Sequence, residues 1–351
     1  MTVIQADELK AFATELLRAG GFTHSDADQT ADLLVWANLR GIDSHGVLRI
    51  PRYIEMIEQG VMISGGAVET IRETGAIVIL DGGKCPGAVG MNTALERAAG
   101  LAAQHGVGWC SARAISHAGA VGYFSSALAR RGLVGIVMTA SKPLMSYFGA
   151  KGEGISTNPL SIAVPAGKGN EPILLDMSTA AVALGKVMAA KDAGKEIPLG
   201  WAVDRAGVQT TDPHKVAALL PMAGAKGSGL SLMIEVLVSV LAGNSVIAPV
   251  LLGRKKGGFN GLVIAVDPAA FGDSAAFEAE VAELKDAIHN LEPAEGVGSV
   301  LLPGEGSAKL SRIRHVEGIS LVAGTVKNLI EVAQRFAIQI PSALAVSTRN
   351  A

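Results

Sequence analysis

The chain has 351 residues, of which 49% are hydrophobic and 18% are charged, and its formal net charge is −2. At roughly one domain per 150 residues, this length favours two structural parts. Both charge signs are spread along the chain, which argues against a nucleic-acid partner because such proteins cluster Lys and Arg. The two cysteines, Cys85 and Cys110, lack metal-ligand spacing, so we expect a reducing compartment, no disulfide scaffold and no metal site.

Two features argue against a membrane partner. The first residues, MTVIQADELK, carry acidic and polar groups where a signal peptide needs an apolar run. The most apolar stretch, 230–242, contains Glu235 and is shorter than the roughly 20 residues that span a bilayer. We therefore expect a cytoplasmic protein.

The N-terminal segment, 1–65, has the apolar periodicity of helices, and we expect it to pack with the C-terminal part, 312–351. Pro51 is tolerated only near the start of a helix, which predicts that His45 lies just before the first turn of the third helix. The helices of this segment are predicted at 6–19, 25–39 and about 47–59.

Residues 66–311 alternate between short β-branched runs and helices, which predicts an α/β domain that carries a cleft. Residues 194–225 are predicted to be mostly loop. The segment 226–242 is apolar nearly all round, so we expect a buried helix there. Strands are predicted at 76–80, 107–112, 133–139, 160–164, 172–176 and 261–267, and helices at 90–104, 119–131, 180–192, 226–242 and 274–290, with a closing helix at 323–336.

The fingerprints of common nucleotide and metal enzymes are missing. No G-x-G-x-x-G follows a strand and opens a helix, and neither a P-loop nor an H-E-x-x-H motif occurs. A dinucleotide bound by this chain would therefore not lie on a standard Rossmann turn.

The run SHGVLR, 44–49, contains polar groups that suit an anionic ligand. A helical turn would place His45 and Arg49 on one face. The Arg fork fits a carboxylate, and histidine titrates near neutrality and can pass a proton. The alternative is a helix start with a solvent-facing basic pair.

The run SHAGAVGYF, 116–124, follows a predicted strand and enters a predicted helix. It places His117 at the C-terminal end of a strand, where α/β proteins tend to bind ligands. A histidine in a tight turn is the alternative.

Three other polar segments accompany these runs. Asn158 lies in GISTNPLSIAVP, and Asp176 ends a predicted strand, where it either contacts a ligand or caps the next helix. Lys226 stands at a helix start, where the helix dipole favours anions, so a bound anion such as a phosphate would explain it. The segment LPGEGS, 302–307, follows a short strand.

Taken together, these motifs resemble the malate/L-lactate dehydrogenase family, which is separate from the Rossmann lactate dehydrogenases. The matching segments run in order from about residue 5 to 337, and HAGAVGYF with ALLPMAGAKGSGLSLMIEVL resembles the ureidoglycolate branch most. They are R-G-x-x-S-H-G-x-x-R at 40–49, S-x-x-x-Asn-Pro-Leu, Asp-Met-Ser-Thr, A-V-D-x-x-G-x-x-T-T-D-P at 202–213, K-G-x-G-L at 226–230 and a late Leu-Pro-Gly-Glu.

The resemblance implies a mixed-sheet, non-Rossmann α/β core that binds NAD or NADP, and a homodimer with the site at its interface. It implies that Arg49 clamps the substrate carboxylate beside Ser44. His117 matches the proton donor and acceptor of the ureidoglycolate branch, and His45 matches the proton donor of the diketogulonate reductase branch. We favour His117 as the residue that moves the proton, with His45 completing the polar pocket. The implied cofactor contacts are Ser141, Asn158, Asp176, Met177, Ser178, Lys226, Gly304 and Glu305.

The sequence departs from the family pattern at three positions. Lys142 stands where the ureidoglycolate branch has an aspartate, so it either contacts a second anionic substrate group, as in malate or sulfolactate, or points to solvent. Lys186 stands where the cyclic-imine reductases carry Asp. Ala118 replaces a phenylalanine of many malate-type members, which would change the pocket wall.

The leading hypothesis is hydride transfer between nicotinamide and a 2-hydroxyacid or 2-ketoacid of the malate, lactate, ureidoglycolate or sulfolactate type. One alternative is an NADPH-linked reductase of piperideine- or pyrroline-2-carboxylate, against which Lys186 speaks. A second alternative is a dinucleotide-binding protein without turnover. The sequence leaves open the substrate, the direction and the choice between NAD and NADP.

Overall fold

The structure is a computed structural model that describes residues 2–167, 169–192, 194–254 and 258–345. Its strands form one seven-stranded sheet and two small two-stranded sheets. The strands are β1 Thr2–Ile4, β2 Glu69–Thr74, β3 Ile77–Asp81, β4 Val107–Ile115, β5 Val134–Ala140, β6 Leu160–Val164, β7 Ile173–Met177, β8 Ala202–Val203, β9 Ala218–Leu219, β10 Phe259–Val266 and β11 Ile319–Leu321.

The helices surround this sheet and build most of the two ends of the chain. Short 3₁₀ turns occupy Asp43–His45 and Val47–Arg49, and a π-helical turn occupies Val236–Val240. The α-helices are α1 Ala6–Ala19, α2 His24–Leu39, α3 Ile50–Glu58, α4 Gly87–His105, α5 Gly122–Ala129, α6 Leu184–Asp192, α7 Ala225–Glu235, α8 Ile247–Leu251, α9 Ser274–His289, α10 Glu305–Glu317, α11 Ala323–Arg335 and α12 Ser342–Ala345.

The large sheet is mixed, in the order β2-β3-β4-β10-β5-β6-β7, which confirms the predicted non-Rossmann α/β class. Only β3 and β4 pair in parallel, and the other five pairs are antiparallel. Because β10 runs antiparallel to both of its neighbours, β4 and β5 run the same way and end at the same edge of the sheet. That edge receives the candidate site.

Helices cover both faces of the sheet. The face that carries Cys110 and Val263 packs against α4 and α5 in one buried cluster. The opposite face, which carries Leu262, packs against α7 and the π-helical turn through Ile234 and Val238. Leu262 and Val263 lie on opposite faces because successive side chains of a strand point to opposite sides of the sheet.

The two ends of the chain meet. β1 pairs antiparallel with β11, and one buried cluster joins α1, α2 and α3 to α11 through residues such as Leu16, Ile50 and Leu329. Leu33 of α2 belongs instead to the cluster under α4 and α5, so the first helices also contact the sheet. The division at residues 65/66 and 311/312 stays a prediction, and residues 346–351 lie outside the described part.

The structure corrects the start of one predicted helix and adds two elements that the sequence analysis missed. The third helix does not begin near residue 47 but at Ile50, after two 3₁₀ turns. The strand β2 was missed because all six of its residues are exposed and show no apolar alternation. The helix α10 was missed because most of its residues are polar and only Ala308 is buried. Residues 194–225 are mostly loop, as predicted, and also hold the small β8-β9 hairpin.

The apolar helix predicted to be buried is only half-buried. It becomes α7 followed by the π-helical turn, and it leaves Met233, Val240 and Leu241 exposed by 52%, 50% and 62%. Among the described residues, no helix is long and apolar enough to cross a membrane.

Candidate active site

The structure brings together two histidines that lie far apart in the sequence. His45 belongs to the 3₁₀ turn Asp43–His45, and His117 lies just after β4. Their rings stack with centroids 5.5 Å apart and an angle of 17° between the planes. Both residues are half-buried.

The backbone around His45 is fixed by Asn38. The Asn38 Oδ1 atom accepts from the Val47 amide at 2.9 Å, and its Nδ2 atom donates to Asp43 Oδ1 at 2.6 Å. A Cβ atom on Gly46 would lie 2.2 Å from Asn38 Oδ1, so only glycine fits between the two turns. His45 therefore stands in its own 3₁₀ turn, ahead of the third helix.

Arg49 folds back on this turn. Its Nε atom donates to the Ser44 carbonyl oxygen at 2.7 Å, and the Ser44 hydroxyl lies 3.0 Å from His45 Nδ1. The chain segments that the structure describes show no hydrogen bond from the two terminal nitrogens of Arg49. These nitrogens are the donors that bind a carboxylate in two parallel hydrogen bonds.

His117 is held by groups from three other elements. Its Nδ1 atom lies 2.7 Å from Tyr53 Oη on α3 and accepts from the Gly119 amide at 3.3 Å. The edge of its ring meets Phe259 at the start of β10, with centroids 5.5 Å apart. Sequence reasoning missed Tyr53 and Phe259, although Tyr53 stands four residues after Arg49, the spacing that shares a helix face.

Burial makes both imidazoles neutral. It lowers the pKa of His45 from 6.5 to about 4, and the Arg49 charge adds to the effect. Burial also holds the pKa of His117 well below its usual value, with His45 and Arg49 contributing. The remaining charge of this cluster is the Arg49 guanidinium, so the site favours an anionic ligand.

Ser141 and Lys142 lie at the same sheet edge as His117. They follow β5, whose last residue Ala140 pairs with Asn260, next to the Phe259 ring that touches His117. Two strand spacings, about 10 Å, separate the ends of β4 and β5. Ser141 is buried, with its hydroxyl 2.7 Å from Ser156 Oγ, and Lys142 is exposed.

Two buried polar atoms nearby have no protein partner in the described part of the chain. They are Asn158 Oδ1 and Thr179 Oγ1. Asn158 Nδ2 donates to the Ser231 carbonyl at 2.9 Å, and the Thr179 amide donates to the Thr157 carbonyl at 3.2 Å, which places the two orphan atoms in adjoining segments. Since buried polar atoms are seldom left unpaired, this region fits a ligand with an amide or hydroxyl groups, as in a nicotinamide dinucleotide.

The end of β7 carries Asp176, Met177 and Ser178, all partly exposed. The Asp176 Oδ2 atom accepts from the Gly122 amide at 3.1 Å, at the start of α5. Burial raises the pKa of Asp176 to about 6, while the Gly122 hydrogen bond and the charge of Arg40 oppose that rise. Asp176 thus joins β7 to the segment that follows His117.

The remaining predicted residues are not tied to the histidines by any described contact. Lys226 is exposed in the first turn of α7. Gly304 has φ +85° and lies against Leu174 of β7, where a Cβ atom would come 2.8 Å from the Leu174 carbonyl oxygen. Glu305 Oε2 lies 2.9 Å from His289 Nε2 and accepts from the Leu302 amide, so the side chain is engaged within the fold.

Comparison with known proteins agrees with the resemblance that the motifs indicate. The family model described as malate/L-lactate dehydrogenase matches residues 4–330. The chain belongs to this family.

Its relatives include enzymes with different substrates in their names. The NAD(+) ureidoglycolate dehydrogenase of Escherichia coli (strain K12) is 35% identical over 94% of this chain and 95% of its own. The L-sulfolactate dehydrogenase of Methanocaldococcus jannaschii is 34% identical over 96% of this chain and 98% of its own. The crystal structure of malate dehydrogenase from Entamoeba histolytica superposes with a TM-score of 0.90 at 25% identity, covering 97% of this chain and 100% of that one.

Proposed function

We propose that the protein is an NAD(P)-dependent oxidoreductase that interconverts a 2-hydroxyacid and its 2-ketoacid. The observation that carries the proposal is the stacked His45–His117 pair beside Arg49, at the sheet edge where β4 ends. The relatives support it, since each acts on a hydroxyacid according to its name. A nicotinamide, when bound, accepts or supplies the hydride at C2.

Arg49 holds the carboxylate of the substrate through its two terminal nitrogens. His117 moves the proton of the C2 oxygen, and His45 closes the pocket by stacking on it. General acid–base help of this kind contributes about 10²–10⁴-fold to a rate. Ser44 mainly positions Arg49 and His45, because its carbonyl oxygen accepts a hydrogen bond from Arg49 and its hydroxyl contacts His45.

The cofactor is held along the sheet edge from β5 to β7. Asn158 and Thr179 present unpaired buried oxygens there, and Asp176, Met177 and Ser178 line the end of β7. Glu305 takes part less directly, since its carboxylate already contacts His289.

The substrate carries a second anionic group, as malate and sulfolactate do. Lys142 is exposed at the sheet edge that holds His117, and no ion pair of it occurs within the described ranges. A cation there suits a dicarboxylate or sulfonate. The likeness to an L-sulfolactate dehydrogenase supports this choice.

The protein acts as a homodimer in the cytoplasm. The exposed apolar surface of α7 and the π-helical turn supports the dimer, because contiguous exposed apolar surface marks contact sites. We expect the site to lie at that interface.

The test is the absorbance at 340 nm of the purified protein with NADH or NADPH and a panel of substrates. The panel holds the 2-ketoacids pyruvate, oxaloacetate, 3-sulfopyruvate and 2,3-diketogulonate, and the cyclic imine piperideine-2-carboxylate. We expect turnover of a dicarboxylate or sulfonate, lowered about 10²–10⁴-fold in His117→Ala. The matched control is His105→Ala, since His105 is an exposed histidine at the end of α4.

Two outcomes would replace this proposal. Turnover of piperideine-2-carboxylate alone would make the protein a cyclic imine reductase. Tight binding of NADH or NADPH with no turnover of any panel member would favour a dinucleotide-binding protein without turnover.

A further inference from the structure

The hydrogen bonds at His117 define which of its nitrogens carries the proton. The Gly119 amide points at Nδ1 from 3.3 Å, and an amide N–H can only donate. The Nδ1 atom therefore presents its lone pair, and the neutral ring carries its proton on Nε2. The Tyr53 hydroxyl, 2.7 Å from the same Nδ1, must then donate as well.

These two donors are held firmly. Tyr53 is 3% exposed on α3, so its hydroxyl has no ready access to water. The His117 backbone lies against Gly87 of α4, where a Cβ atom would come 2.2 Å from the His117 carbonyl oxygen. Gly119 has φ +69° and packs on Leu33, which fixes the direction of its amide.

We propose that Tyr53 is a positioning residue that, together with the Gly119 amide, holds His117 as the Nε2–H tautomer, so that the resting site is set to donate a proton to a 2-ketoacid. This inference rests on the proposed function. The low pKa of His117 is in keeping with it, because the ring then stays neutral at physiological pH. Sequence patterns give no sign of this role, which depends on a contact between residues 64 positions apart.

The protons balance through Tyr53. A reduced nicotinamide, when bound, would supply the hydride to C2. His117 gives its Nε2 proton to the C2 oxygen, and Tyr53 gives its proton to Nδ1 at the same time, so that no imidazolate is left. A phenolate is left facing Nδ1–H. After the hydroxyacid leaves, the Nδ1 proton returns to Tyr53 and Nε2 takes a proton from water. One hydride and one proton have then been added to the ketoacid.

The first experiment needs no substrate. Nitrogen-15 NMR of the full chain at neutral pH, with the His117 signals identified by their loss in His117→Gln, reports the protonation of each ring nitrogen. We expect a protonated Nε2 and an unprotonated Nδ1. Tyr53→Phe should shift the Nδ1 signal and mix the two tautomers, whereas Tyr123→Phe, which alters a tyrosine on α5, should leave both signals unchanged.

The second experiment measures single-turnover reduction of whichever panel ketoacid is active. Tyr53→Phe should lower the rate constant about 10²-fold or more, because the proton that replaces the one lost from Nε2 is then missing, with KM nearly unchanged. The rate in mixtures of H₂O and D₂O should show two protons in motion for the natural protein and one for Tyr53→Phe. A protonated Nδ1 in the natural protein, or NMR signals that Tyr53→Phe leaves in place, would overturn the inference. Inactivity across the panel would count against the proposed function, and the NMR result would still decide the tautomer.

Discussion

Asp176 accepts a hydrogen bond from the Gly122 amide at 3.1 Å, and this contact joins the end of β7 to the start of α5 just beyond His117. It links two segments that the proposed function assigns to the cofactor and to the proton. The position demands glycine, because a Cβ atom on Gly122 would lie 2.5 Å from Asp176 Oδ2.

Gly122→Ala should therefore push Asp176 out of place. We expect a loss of about 1–3 kcal/mol in the free energy of unfolding from overpacking, and weaker NADH binding by fluorescence titration. Gly100→Ala is the control: Gly100 lies in α4 with open space around its Cβ position. It should stabilise the protein by about 0.5–1 kcal/mol, since alanine favours a helix. Equal effects of the two substitutions would mean that the close approach at Gly122 is unimportant.

Arg49→Lys should separate charge from geometry in substrate binding. Lysine keeps the positive charge but loses the planar fork and the hydrogen bond to the Ser44 carbonyl. Loss of a charge-assisted hydrogen bond costs about 1.5–3 kcal/mol, so KM for the ketoacid should rise roughly 10- to 150-fold in steady-state assays. Arg52→Lys, at an exposed arginine paired with Glu55, should leave KM unchanged. A KM for Arg49→Lys equal to that of the control would remove Arg49 from the substrate site.

The sequence predicts which residues can take part in chemistry better than it predicts which residues lie close together in the fold. Apolar runs identified β4, β5, β6 and β7 within two or three residues, because buried strands must be apolar whatever their neighbours are. The pattern could not show that β10 inserts between β4 and β5, since strand order depends on contacts between distant segments.

The same limit holds within the candidate site. His45, Arg49 and His117 stand out by residue type and by the small residues around them. Tyr53 does not stand out in the sequence, because a tyrosine on an amphipathic helix is usually a core residue. Tyr53 is indeed buried, with 3% of its surface exposed. The partners of Asp176 were also hidden, as they follow from the pairing of α5 with the end of β7.

Lys142→Ala should change which ketoacids are reduced. If Lys142 binds a second anionic group, KM for oxaloacetate and 3-sulfopyruvate should rise about tenfold or more, while KM for pyruvate stays the same. Lys327→Ala is the control, since Lys327 lies on the surface of α11 and pairs with Glu331. A uniform change across all three ketoacids would show that Lys142 does not select the substrate.

Acid should destabilise the protein through His45. Its pKa is 6.5 in an unfolded chain and about 4 in the fold, so as pH falls below 6.5 the unfolded state takes up a proton that the folded state refuses. The free energy of unfolding should therefore decline between those two values. In urea titrations at about pH 7 and about pH 5, His45→Gln should lose less stability than the natural protein. His105→Gln, at an exposed site, should behave like the natural protein, and an equal decline in His45→Gln would contradict the assignment.

Met233→Glu should dissociate the proposed dimer. Met233 is 52% exposed on the apolar face that continues through Val240 and Leu241, and a charge at the centre of such a face would have to be desolvated in the dimer. Sedimentation velocity should show the natural protein at twice the mass of one chain and Met233→Glu at the mass of a single chain. Val316→Glu, at a residue 80% exposed on α10, should remain dimeric.

If the site lies at the interface, Met233→Glu should also lose ketoacid reduction in proportion to the monomer formed. A Met233→Glu protein that stays dimeric would place the contact on another surface, whereas an active monomer would show that each chain holds a complete site.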